Sequence, residues 1–158
     1  MLVDAGERQR TALLEEHAAL AGVALAIAIK DICYATWDSD PLQAAGAAAA
    51  LNLLAERTGD PEIHALATWI SGIAALATGR MDRAIDLLDA AVEQFHCLGQ
   101  PHTAARFEVG KLMALAMLGR YDEAVACGIA ARNALLVHGD EITAGTVVSC
   151  RLCAFSVY

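Results

Sequence analysis

The chain has 158 residues, of which 57% are hydrophobic but only 5% aromatic, because 35 of them are alanine. That composition favours helices and excludes a β-sandwich or barrel, which needs β-branched and aromatic residues on pleated surfaces. A formal charge of −8 disfavours direct binding to nucleic acid or an anionic membrane, both of which attract clustered Lys and Arg.

The N-terminal stretch carries Asp4 and Glu7 where a signal peptide would be basic, and predicts a leading helix over 4–19. A second helix is predicted over 21–37, and the longest apolar run, Ala18 to Ile29, leads into it. Twelve residues are too few for a membrane span, which takes about 20. Third and fourth helices follow over 40–57 and 61–78, started by Pro41 and Pro61. Proline is tolerated in a first helical turn, where its missing N–H would be unpaired anyway. The segment 81–98 is amphipathic: Ile85, Leu88, Val92 and Phe95 recur at three and four, while Asp82, Asp86, Asp89 and Glu93 line another face. Helices over 101–118, 121–138 and 141–157 complete a set of eight, all-α. Segments 21–37, 63–77 and 101–118 are apolar on most sides and are expected to be buried on more than one.

The punctuation between these helices has a period of forty. Gly59, Gly99 and Gly139 form one series; Ser39, Gly79 and Gly119 lie halfway between, each followed five residues later by Ala44, Ala84 or Ala124. Gly79-Arg80-Met81-Asp82-Arg83-Ala84-Ile85 and Gly119-Arg120-Tyr121-Asp122-Glu123-Ala124-Val125 match over seven positions. Short connections make successive helices antiparallel. The expected organisation is a leading helix (1–20), repeats over 21–60, 61–100 and 101–140, and the first helix of a fourth unit over 141–158.

A helix-turn-helix unit with glycine at its turn and small residues at fixed offsets resembles the tetratricopeptide repeat. The match is clearest in the second unit, with Gly72, Gly79, Ala84, Leu88 and Ala91. The third keeps Gly119, Ala124 and Ala131 but has Leu112 and Gly128 at two other motif positions, and the first has Ile32, Ser39, Ala44, Ala48 and Leu51. Small residues there let neighbouring helix axes approach to about 8–10 Å. The usual unit has about 34 residues, so these repeats are long. Long repeats with such turns are similar to those of bacterial CHAT-domain, caspase-like proteases and of LuxR-type and antibiotic-regulator transcription activators. The resemblance implies a right-handed α-solenoid acting as an interaction and regulatory scaffold of a larger bacterial protein, in the first case as a protease's sensor arm.

By the same resemblance, first helices line a concave surface. The matching positions are Ala26, Ile29, Cys33 and Thr36; then Leu66, Trp69, Ile73 and Leu76; then Arg106, Val109, Met113 and Ala116. Leu66, Trp69, Ile73, Leu76, Arg106, Val109 and Met113 are the expected partner-binding groove for a protein or peptide, and Trp69→Ala is expected to weaken a partner with helix content intact. Val147, Val148, Leu152, Phe155 and Val157 would leave apolar surface uncovered, so the helix 141–158 is expected to self-associate or to pack on the rest of a parent chain.

No residue pattern asks for catalysis or a cofactor. Cys150-x-x-Cys153 has no second ligand pair near it and reads as two small residues on one helical face. His96 and Cys97 are adjacent, so on a helix they point about 100° apart and cannot exchange a proton. His17, His64, His102 and His138 lie near helix ends, where a cation or donor is useful. The acidic stripe on 81–98 reads as a solvated face. Five cysteines, an odd number, fit a reducing compartment, and the chain is read as cytoplasmic.

Overall fold

The computed structural model describes the backbone of residues 2–155 and the side chains of residues 2–148. Its elements are α1 (Glu7–Glu16), a 3-10 turn (Ala18–Leu20), α2 (Val23–Thr36), α3 (Pro41–Thr58), α4 (Pro61–Ala77), α5 (Met81–Cys97), α6 (Pro101–Met117), α7 (Tyr121–Val137) and α8 (Glu141–Phe155). The fold is all-α, with no strand among the described residues. Helices α2 to α8 start and stop close to the expected positions. The first does not: residues 2–5 form a turn, and the helix runs only over Glu7–Glu16 before the 3-10 turn.

Backbone chemistry accounts for the boundaries. Gly59, Gly79, Gly99, Gly119 and Gly139 all have positive φ, between 62° and 75°, a left-handed conformation in which a Cβ is penalised. Gly79 illustrates the device. Its N–H donates to the Leu76 carbonyl and the next N–H, of Arg80, reaches the Ala75 carbonyl, so the last turn of α4 closes on itself. The same pair of bonds recurs after α5, α6 and α7.

Two helix starts, those of α3 and α4, combine Asp with Pro. The Asp40 carboxylate accepts from the N–H groups of Leu42 and Gln43, and Asp60 from those of Glu62 and Ile63, with proline at the next position in each case. Removing such an acceptor leaves orphan donors at the helix start. Asp60→Ala is therefore expected to cost about 1 kcal/mol, read as a lower denaturation midpoint with unchanged slope.

The chain divides into two compact units, residues 1–80 and 81–158. The division follows the Gly79 turn and so cuts the expected repeat 61–100 in half. In the first unit α2 packs on α3, α3 on α4, α2 also reaches α4, and α1 lies on α3. In the second, α5 packs on α6, α6 on α7, α7 on α8, and α6 also reaches α8. Each unit thus contains a helix pair followed by the first helix of the next, with first helices in mutual contact.

The small residues that carry the repeat motif are where helices meet. Ala44, Ala84, Ala91, Ala124 and Ala131 are buried, as are Leu51 and Leu88. On α5 the buried positions Ala84, Leu88, Ala91 and Phe95 form one stripe, and Asp82, Asp86, Asp89 and Glu93 are exposed. By contrast α4 buries eleven of its seventeen residues and has no single inner face.

For one residue of the last helix, Val147, the second unit corrects the expectation of uncovered apolar surface. Val147 is fully covered, in a cluster with Ala105, Val109, Leu112, Leu135 and Ala144, because α8 lies against both α6 and α7. Val148 is exposed. Leu152, Phe155 and Val157 lie outside the residues whose side chains are described, as do Cys150 and Cys153.

Candidate functional site

A partner meets side chains that reach solvent, so exposure decides which expected groove residues qualify. In the first unit Leu66, Trp69, Ile73 and Leu76 follow each other down one stripe of α4, and each is at most 5% exposed. In the second, Val109 is buried, Met113 half-buried and Arg106 exposed. Five of the seven expected groove residues are interior. Of the expected groove, Arg106 and Met113 are the residues that reach solvent.

The same correction applies to α2. Ala26, Ile29 and Cys33 are buried, and the Thr36 hydroxyl donates to the carbonyl of Ile32. The face that reaches solvent is rotated away from them and comprises Ala24, Ile27, Ala28, Asp31, Tyr34 and Ala35. Ile27 is 44% and Tyr34 54% exposed, one above the other at a spacing of seven. The Tyr34 ring stacks on Trp69 of α4, with centroids 5.7 Å apart and planes at 28°. Trp69 therefore acts from beneath, fixing an exposed aromatic ring in one orientation. Sequence reasoning missed Tyr34 because most sides of α2 are apolar and its periodicity does not mark an outer side.

In the second unit the solvent-facing stripe of α6 runs through Thr103, Arg106, Gly110, Met113 and Met117, spaced by three and four. Near its start is a polar cluster. His102 Nε2 lies 2.9 Å from Asp140 Oδ2, and Arg106 Nε 3.9 Å from the same oxygen. The rings of His102 and His138 are 5.5 Å apart. Asp140 also accepts from the Thr143 N–H and so caps α8.

The Thr143 hydrogen bonds above all, and then His102, hold the Asp140 carboxyl down at about 2. Because this folded-state value is depressed, the stabilisation is present above the ordinary carboxylate pKa and is lost as pH falls through about 2. A carbon-detected NMR titration of Asp140 is expected to show a midpoint near 2; a midpoint in the ordinary aspartate range contradicts the cap.

Two of the cysteines, Cys33 and Cys127, are poor nucleophiles in their surroundings. Burial pushes the Cys33 thiol up to about 12 and, with help from the nearby Glu108 carboxylate, that of Cys127 to about 11. His96 and Cys97 are both exposed at the end of α5. Among the described residues, no three His, Cys, Asp or Glu side chains are grouped to hold a metal ion, and no helix is long and apolar enough to cross a membrane.

Lys111 pairs with Asp89, which ties α6 to the acidic face of α5. Half-buried Glu108 lies in the same region, its carboxyl raised by burial. Asp89, Lys111 and Glu108 together form a small ionic network where α5 meets α6.

No family model, curated protein or solved structure matches the chain. The outer face of α2 and the Arg106 stripe of α6 are therefore characterised by their own chemistry. The first is apolar with a braced tyrosine. The second mixes two methionines with an arginine and a histidine beside a carboxylate.

Proposed function

We propose that the chain is a protein-interaction and regulatory scaffold, a tetratricopeptide-like segment of a larger bacterial protein. The observation that carries this reading is the outer face of α2, where Ile27 and Tyr34 stand exposed and the tyrosine ring is braced on buried Trp69. A rigid, amphipathic aromatic side chain contributes contact area at low entropic cost, which is why Tyr is enriched among residues that dominate interface energies. The partner is a protein or peptide presenting apolar side chains. The net charge of −8 and the scarcity of exposed cations leave little attraction for polyanions.

The role of the larger protein rests on resemblance alone. Repeats of this length with these turns make the segment the sensor arm of a CHAT-type caspase-like protease, with the regulatory solenoid of a transcription activator as the alternative. Cytoplasmic placement belongs to the same proposal.

The test is quantitative affinity capture with three full-length baits: wild type, Tyr34→Ala and Ile27→Asp. A partner that is retained by wild type and lost by both variants, while circular dichroism shows unchanged helix content, supports the reading. A partner that binds all three equally places the interface elsewhere.

A further inference from the structure

The first unit holds a docked segment whose seat is shaped for it. Residues 2–5 fold back on α1, where the Arg10 guanidinium donates to the carbonyls of Leu2 and Val3 at 3.2 and 2.9 Å. Val3 and Ala5 of this segment are buried, as is Leu14 of α1. It sits on α3 at Gly46, where a Cβ would lie 2.5 Å from the Val3 carbonyl oxygen and 3.4 Å from both Arg10 and the Val3 side chain. Eleven residues further along α3, Arg57 pairs with Glu15 at 2.8 Å. Gly46 and Arg57 mark a stripe of one helical face, and between them at four and seven lie Ala50, fully buried, and Leu53, half-buried. Forty and eighty residues on, the positions matching Gly46 are Asp86 and Ala126, so the notch belongs to α3 alone.

The docked segment is held lightly. Helix α1 has ten residues, one of them buried, and its N-cap Gly6 offers no side-chain acceptor. A helix this short is marginal without its packing partner. It leads into the 3-10 turn Ala18–Leu20, which buries nothing and leaves Leu20 68% exposed. The Arg57–Glu15 pair is exposed and adds little. These are the marks of a unit that opens before the rest of the fold.

We propose that residues 2–16 are a detachable strap on a helix-docking face of α3, keyed by Gly46, and that this face accepts the same segment from a second copy of the chain. The seat selects its occupant sterically: a backbone carbonyl must enter the Gly46 notch with an arginine folded over it and small apolar residues beside it. The chain's own N-terminal segment meets those requirements, and a strap on a hinge can satisfy them in cis or, by exchange, in trans. Tethering gives the cis strap a high effective concentration, so exchange is seen once its hold is weakened.

The probe is a fluorescent synthetic peptide of residues 2–20 added to the full chain, with binding read by anisotropy. Arg10→Gln in the chain weakens the cis strap and leaves the seat intact, so it is expected to bind the peptide more tightly than wild type does. Adding Gly46→Ala to that variant blocks the notch and is expected to weaken binding at least about tenfold. No binding to the Arg10→Gln chain, or equal binding by the double variant, overturns the exchange. Hydrogen exchange of the Gly46→Ala chain tests the strap directly. Residues 7–16 are expected to lose protection while α4 keeps its own, since alanine favours the α3 helix itself; unchanged protection over 7–16 contradicts the key.

Discussion

Trp69→Ala is expected to destabilise the first unit by about 3–5 kcal/mol, measured by urea denaturation followed by circular dichroism. The indole is 5% exposed and lies against the Tyr34 ring, so its removal loses a large buried apolar surface and leaves a cavity that neighbouring helices fill only in part. Domains are stable by only about 5–15 kcal/mol, so this one change consumes a large share. Tyr34→Ala sets the contrast. Its ring is more than half exposed, and its loss removes a stacking contact that contributes about 0.5–1.5 kcal/mol. A Trp69→Ala chain that melts like wild type would return the indole to the surface and restore the groove expected from the resemblance.

Phe95→Ala is expected to have an effect of similar size in the second unit. Phe95 is 1% exposed and meets Phe107 edge to face, with centroids 4.9 Å apart and planes at 73°. This contact joins the end of α5 to the first turns of α6, and alanine would leave Phe107 facing a void. The expected cost is again about 3–5 kcal/mol, with amide protection lost over α5 and α6 while α2 and α3 keep theirs. A cost below about 1 kcal/mol would mean that the site collapses around the smaller side chain.

Most boundaries of α2 to α8 were legible because they are written in local chemistry. A left-handed residue after a helix needs glycine, and a helix start needs an acceptor side chain, so Gly79 and Asp60 act within a few residues of themselves. The forty-residue period then multiplies that signal. The leading helix lacked it. Nothing between Asp4 and His17 announces that residues 2–5 turn back on Arg10, since that depends on a notch in α3 some forty residues away.

Facing was harder to read. On α5 charged and apolar residues separate cleanly, and the buried stripe Ala84, Leu88, Ala91 and Phe95 could be read directly. On α2, α4 and α6 most sides are apolar, and hydrophobic periodicity cannot say which side is inner. The resemblance supplied a register instead, and it selected Ile29 and Trp69 where Ile27 and Tyr34 reach solvent. Val147 went wrong for a related reason: its cover comes from α6 and α7, not from a further repeat.

On the proposed reading, the chain works by presenting the outer face of α2 to a protein partner. Site-specific photo-crosslinking of the full chain in cells tests it most directly, with a photoreactive phenylalanine analogue at position 34 and, as the buried control, at position 29. A discrete intermolecular adduct is expected from position 34 and none from position 29. Adducts that form only when the probe stands on the acidic face of α5, with none from position 34, would contradict it.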